Sequence, residues 1–252
     1  MPYLKLVRKT EIIMGMPITI EAIDSTATTA ILNTVFDYFK EVDEQFSPYK
    51  ESSELSQINT GLAEASWSAE MREVLDLCRE TSKLTDGYFN IHKDNKIDPS
   101  GLVKGWSIYN ASKLMDQHNI VNYYIEAGGD IQVSGDYRAK DKGWEIGIRN
   151  PFQIDEIIKV VNLRNLGIAT SGSYIRGQHI YNPLDHNAEI TDIVSLSVIG
   201  PNVYEADRFA TAAFAMGSKG INFINSLDGF EGYMINYNKI ATFTDGFNRY
   251  TV

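Results

Sequence analysis

A single cysteine, Cys78, stands in 252 residues. No intramolecular disulfide can staple this fold, and a reducing compartment suits it. Long apolar runs are missing too: no window approaches the roughly 20 apolar residues of a membrane-spanning helix. The opening MPYLKLVRKTEIIMGMPITIEAID holds no apolar run of signal length. The expectation is a soluble cytoplasmic protein without a membrane span, unless a signal or lipoprotein leader has been trimmed. Positive charge is short, with 23 Lys and Arg against 33 Asp and Glu, a net charge of −10. Such a chain is a poor partner for nucleic acid or anionic membrane. A phosphate-bearing ligand would need a local cation, either a metal or a well-placed lysine. The phosphate-cradling signatures GxGxxG and GxxxxGK[ST] are absent. So are HExxH and any Cys/His cluster, which argues against zinc. No solenoid repeat, low-complexity tract or Pro/Ser-rich linker divides the chain.

What remains is ordinary globular material, 43% hydrophobic and 22% charged, enough for one domain over 1–252 or two intimate subdomains. Residues 11–23 alternate like a strand through Ile18, Ile20 and Ala22. Residues 27–46 place Ile31, Val35, Phe39 and Val42 at helical spacing, and 53–59 reads as a short helix or turn. A second long helix over 69–84 turns Val74, Leu75, Cys78 and Leu84 inward, and Thr85-Asp86-Gly87 breaks it. Residues 98–105 read as a polar loop leading into a helix over 106–118. Short strands follow at 123–126, 130–134, 144–148, 157–163, 167–170, 179–181 and 193–198. Helices over 205–216 and 219–227 precede a closing hairpin, 232–237 and 240–244, with its turn at Asn238-Lys239. Strand runs separated by a few long helices predict an α+β fold, mixed or antiparallel sheets flanked by long helices.

Four stretches carry chemistry. In DPSGLVKGW (98–106), two glycines and a proline flank a lysine, which suits a backbone approaching a ligand while an ammonium meets an anion. A turn and a helix start explain it equally well. In EAGGDIQVSG (126–135), paired glycines before a carboxylate allow close contact with a planar group, or simply form a bulge or hairpin. In IATSGSYIRGQHIYNP (168–183), Thr170, Ser171 and Gly172 read as a hydroxyl-rich turn. His179 there can serve as a general base for a hydroxyl nucleophile, or as a hydrogen-bonded structural residue. In ADRFATAAFAMG (206–217), Asp207 and Thr211 are an i, i+4 pair on one helix face. A carboxylate and a hydroxyl with backbone carbonyls form a hard-oxygen set suited to Mg²⁺. The bland reading is a helix-terminal carboxylate and a threonine bonded back to its own helix.

Taken in order, these stretches resemble the ApbE-type FAD:protein FMN transferases. The likeness covers nearly the whole chain. It runs from Met14-Gly15 through FSPYKESSELSQIN (46–59), TDGYFNI (85–91), DPSGLVKG and EAGGD to TSGSY with HIYNP and ADRFATA. The resemblance implies an ApbE-like fold with its active cleft between two closely packed halves. It implies cleavage of FAD between its phosphates, Mg²⁺-dependent transfer of FMN to a Ser/Thr of a target flavoprotein, and release of AMP. Carried onto this chain, Asp207 and Thr211 stand as metal side chains and Gly101 as a backbone carbonyl ligand. Lys104 and Asp98 stand as FAD contacts. Met14, Tyr49, Tyr88, Phe89, Asn90 and Ile180 fall at flavin and adenine positions, with Gly128, Gly129 and Asp130 lining the same cleft. Lys104 and Asp207 would act in catalysis, with His179 as the base.

The chain departs from the family's usual pattern at three places. Asn90 and Asn182 stand where aspartates are usual, and Met16 replaces a threonine. The first two remove carboxylates that would orient the flavin or His179; none removes a metal ligand. Two other readings compete: an FAD pyrophosphatase using water in place of the protein hydroxyl, and a non-catalytic FAD-binding module.

Overall fold

The computed structural model describes residues 5–137, 142–173, 180–185 and 188–252. The chain opens with a hairpin of β1 (Lys5–Ile13) and β2 (Met16–Asp24). Its turn residues Met14 and Gly15 have φ of 54° and 70°, the positive values that a two-residue hairpin turn requires. The single strand expected over 11–23 is therefore the end of one strand and most of its partner. Apolar residues continue through the turn and hide it.

Helices α1 (Thr29–Phe46), α2 (Glu54–Asn59) and α3 (Ala69–Leu84) follow. Each starts on a hydroxyl, Thr28, Ser53 or Ser68, whose oxygen accepts the amide three residues on. α1 buries Leu32, Val35, Phe36, Phe39 and Val42 along one stripe. Leu84, expected inward, is exposed at the last position of α3, where the helix has left the core.

The two-residue strands β3 (His92–Lys93) and β4 (Lys96–Ile97) pair and lead into α4 (Ser100–Gln117). The loop expected over 98–105 is thus helical from Ser100. Asp98 Oδ1 accepts the Ser100 amide at 3.0 Å, and the Pro99 carbonyl accepts the amides of Leu102 and Val103. Gly101 and Gly105 lower helix propensity by roughly 1 kcal/mol each, which is why the stretch reads as a loop.

The remainder comprises β5 (Tyr123–Ala127), β6 (Asp130–Ser134), β7 (Trp144–Asn150), β8 (Gln153–Leu163), β9 (Gly167–Gly172), β10 (Tyr181–Asn182), β11 (Ala188–Glu189) and β12 (Ile193–Gly200). Then come α5 (Val203–Ala215), α6 (Gly220–Asn225), β13 (Glu231–Asn236) and β14 (Ala241–Phe243). Thr170, Ser171 and Gly172, read as a turn, instead finish β9 and pair with β12. Eight strands form one sheet in the order β1-β2-β5-β6-β9-β12-β13-β14, and every neighbouring pair is antiparallel. The architecture is α+β.

Helices and the β7–β8 hairpin share out the faces of this sheet. Ile18, Ile20 and Ile125 pack with α1 and α4, and Leu196, Val198 and Met234 pack with α5 and α6. Residues such as Val133, Ile199 and Ile235 instead meet Ile146, Ile148 and Val161 of β7 and β8. β12 is consequently buried along its whole length. Two polar groups start α5: Asn202 Oδ1 accepts the Glu205 amide at 3.0 Å, and Gln132 Oε1, reaching from β6, accepts the Val203 amide at 2.8 Å.

α4 and α5 run antiparallel in close contact. A Cβ added at Gly105 would lie 2.6 Å from Asp207 Cβ and 2.9 Å from the Val203 carbonyl oxygen. One added at Gly101 would lie 3.2 Å from Thr211 Cγ2. Gly105→Ala must push the helices apart, because one of the obstructing atoms is backbone. We expect a loss of about 1–3 kcal/mol, measured by urea unfolding; wild-type stability would contradict this packing.

Candidate active site

The glycine face of α4 is where the sequence-derived residues meet. Gly101 and Gly105 are one helical turn apart, as are Asp207 and Thr211 on α5, so the two pairs oppose each other. Thr211 Oγ1 donates to the Gly101 carbonyl at 3.3 Å. The Gly105 amide donates to Asp207 Oδ2 at 2.8 Å. Both bland readings of α5 fail here. Asp207 is not terminal, since the helix is capped by Asn202, and the Thr211 hydroxyl reaches a neighbouring helix.

Lys104 completes the cluster. Its Nζ lies 2.6 Å from Asp130 Oδ2 and 3.8 Å from Asp207 Oδ1. Asp130 is fully buried at the start of β6, and its Oδ1 accepts the Thr170 amide at 3.0 Å. Two buried carboxylates therefore share one lysine, so a proton or a further cation must balance the second negative charge. Burial pushes the Asp207 carboxyl up to about 8; Lys104 and the Gly105 amide pull it down, and Asp130 pushes it further up. Among the described residues no group of three or more His, Cys, Asp or Glu side chains is placed to hold a metal. The carboxylate, hydroxyl and carbonyl oxygens of Asp207, Thr211 and Gly101 are instead the donor chemistry of Mg²⁺.

A cavity of about 400 Å³ opens beside Lys104, and Met14, Tyr49 and Asp98 line it with Phe46, Ser100 and Val103. Tyr49 is 94% exposed, leaving its ring free to stack on a planar group. Met14 holds its left-handed conformation in this wall, a strain of order 1 kcal/mol or more. Gly128 and Gly129 line a second cavity, of about 610 Å³, which shares Gly15 and Met16 with the first. The β1–β2 turn thus divides the two.

Other sequence-derived residues lie in different surroundings. Phe89 is buried among α3 and α4 residues, and its ring edge would lie 3.6 Å from a Cβ at Gly101. It packs against the Gly101 turn of α4. Tyr88 is half-buried and Asn90 exposed; Asn90 Oδ1 accepts the His92 amide at 2.8 Å. Asn182 does the same for the Leu184 amide at 2.9 Å. Ile180 is half-buried against the core beneath α5. His179 lies outside the described residues.

Sequence reasoning missed two supports. Gln132 fixes the start of α5, with no local signal to reveal it. Arg208 is buried, holding Glu205 at 2.7 Å and the Thr81 hydroxyl of α3 at 3.1 Å. The i, i+3 spacing of Glu205 and Arg208 was a readable clue to the first of these contacts.

The ApbE family profile matches residues 14–94 and 90–234. The chain belongs to the ApbE family. It is 27% identical over 151 residues to an FAD:protein FMN transferase of Escherichia coli (strain K12), covering 56% of this chain and 43% of that one. An FAD:protein FMN transferase of Haemophilus influenzae is 27% identical over 161 residues, covering 60% and 45%. The matched stretch thus spans less than half the length of these curated relatives. Flavin transferase ApbE from Vibrio cholerae superposes with a TM-score of 0.85 at 20% identity, covering 98% of this chain and 99% of that one. The ApbE protein of Thermotoga maritima gives 0.87 at 20% identity, covering 98% and 100%. At this identity the superpositions establish the shared fold. No helix among the described residues is long and apolar enough to cross a membrane.

The Asp207 environment has a pH signature. Unfolded, the group ionises near about 3.9; folded without metal, it keeps its proton to about 8. Between these values the folded state binds more protons, so stability falls as pH rises across the window. In chelator, Asp207→Asn should flatten this fall and gain on the wild type by the order of 1 kcal/mol or more at the upper end. Urea unfolding at the two ends of the window reads the difference, and identical pH profiles would refute it.

Proposed function

We propose that this chain transfers FMN from FAD to a Ser or Thr hydroxyl of an acceptor flavoprotein and releases AMP, in a Mg²⁺-dependent reaction. The observation that carries the reading is the convergence of Gly101, Asp207 and Thr211 beside Lys104, at the edge of the Met14–Tyr49–Asp98 cavity. Family membership and the curated names of the relatives support it. Gly101, Asp207 and Thr211 would hold Mg²⁺, whose chemistry there is to neutralise the pyrophosphate and the departing AMP phosphate.

The residues then divide the work. Lys104, its side chain 18% exposed, presents an ammonium to the same phosphates and answers the acidity of the chain. The Gly105 amide holds Asp207 in place. Tyr49 and Met14 give the cavity a surface for a ring system. In the transfer, the acceptor oxygen forms a new P–O bond to the FMN phosphorus. The bond from that phosphorus to the bridging oxygen breaks, and AMP leaves with the oxygen and the bonding pair. The hydroxyl proton passes to a base, for which His179 is the candidate.

The test is co-expression with candidate acceptor flavoproteins, read by intact mass and by in-gel flavin fluorescence. The acceptor should gain the mass of one FMN, and Asp207→Ala should reduce labelling at least about 100-fold. Undiminished labelling by that variant would overturn the assignment. Incubation with FAD and Mg²⁺ but no acceptor supplies the contrast: rapid release of FMN and AMP without labelling of any protein would make the chain a pyrophosphatase. Stoichiometric FAD binding with neither outcome would make it a binding module.

A further inference from the structure

The β7–β8 hairpin has two edges, treated differently. The outer edge of β8 is covered by the C-terminus: Val161 bridges Thr251, and the Val252 amide donates to the Val160 carbonyl at 3.2 Å. The outer edge of β7 has no strand partner among the described residues. Its peptide groups can be assigned by alternation. The Val160 carbonyl turns toward the C-terminus, so Val160 and Asn162 face away from β7, and Val161 and Leu163 face toward it. Glu145 and Gly147 lie opposite Asn162 and Val160. Their N–H and C=O groups therefore point out of the open edge.

That edge fronts a continuous groove. Two cavities, of about 390 and 610 Å³, share Tyr124, Glu145 and Ile146 and together border β7 from Trp144 to Arg149. The opposite wall is formed by residues of β1, β2 and β5. The groove ends at Gly128, Gly129 and Thr170, next to Asp130, which binds both the Thr170 amide and Lys104. Above Gly129 there is open space where a side chain would stand. The groove thus reaches the Lys104 cluster from the opposite side of the β1–β2 turn to the 400 Å³ cavity. Its rim carries Arg8, Lys142 and Arg149 against Glu21, Glu126 and Glu145, a balance unsuited to a polyanion.

We propose that the open edge of β7 receives the acceptor's flavinylation segment as an added, extended strand, which brings its Ser or Thr to the Asp130–Lys104 end. This rests on the FMN-transfer reading and specifies how that reaction's second substrate binds. An unpaired row of backbone donors and acceptors recognises an extended polypeptide, since main-chain hydrogen bonds supply affinity whatever the side chains. An unprotected edge is otherwise a liability that a fold covers, as the C-terminus covers β8. Continuity with the lysine cluster selects the acceptor as the groove's occupant.

Proline at Glu145 removes one outward N–H and leaves the bonds between β7 and β8 in place, the position at which a sheet tolerates it. The probe is the acceptor protein that gains one FMN on co-expression with the wild-type chain. Glu145→Pro is expected to lower kcat/KM for that acceptor at least tenfold, through KM for the acceptor and not KM for FAD. Glu145→Ala, which keeps the amide, should lower kcat/KM by less than the proline variant does, and an equal loss would assign the effect to the side chain and overturn the strand docking. Equal transfer by the proline variant would overturn the docking proposal with the transfer reading intact. Failure of the wild type to label any acceptor would sink that reading and this proposal with it. Hydrogen exchange on the wild-type chain tests the edge without a variant. The outward amides of Glu145 and Gly147 should slow at least fivefold when the acceptor is added, and unchanged exchange would overturn the proposal. Slowing that instead follows the chain's own concentration, without acceptor, would assign the edge to a second copy and overturn it equally.

Discussion

The contact between α4 and α5 at Gly101 and Gly105 is the constraint on which the site depends. Without side chains at these positions the helices approach until a backbone amide can donate to Asp207 and a backbone carbonyl can accept from Thr211. Any larger residue at Gly105 would occupy the space of Asp207 itself. The same closeness excludes water, so the carboxylate's affinity for its proton rises. One geometric feature thus determines both the positions of these oxygens and the charge state of Asp207.

The sheet supplies the remaining partner. Asp130 begins β6 immediately after the positive-φ glycines of the β5–β6 turn. There β6 and β9 pair over only Ile131–Ile168 and Gln132–Gly167. The Thr170 amide, beyond that short ladder, bonds to the Asp130 side chain in place of a strand partner. Parting of the two strands thus leaves room for a buried carboxylate, and Lys104 crosses from α4 to meet it. Gln132, two residues along β6, holds the first amide of α5. A single strand therefore sets both the acidic group that anchors Lys104 and the start of the helix bearing Asp207.

Helices with one apolar stripe, such as α1 and α3, could be read from spacing because only one face meets the core. α4 was half-legible for the opposite reason. It is buried on several sides, so no stripe marks it, and its two glycines suggest a loop until the partner helix is known. The grouping of Asp207, Thr211, Gly101, Lys104 and Asp130 came from motif order, because i, i+4 spacing alone pairs only residues on one helix. Separation of Gly128 and Gly129 into a neighbouring groove was invisible in sequence. It depends on where the β1–β2 turn projects, and the apolar run through Met14 concealed that turn.

The departures at Asn90 and Asn182 can be weighed from local geometry. Each side chain closes a turn by accepting the amide two residues on, which asparagine and aspartate do with the same oxygen. The substitutions therefore conserve the backbone path and remove only charge. Two fewer carboxylates in a chain already at −10 leave less repulsion against a pyrophosphate. The turn that Asn90 closes follows directly on Phe89, whose ring backs Gly101. Its shape matters to the Gly101 carbonyl, and its charge does not. On that reasoning the two asparagines are compatible with the site, and the oxygen set on α4 and α5 is untouched by them.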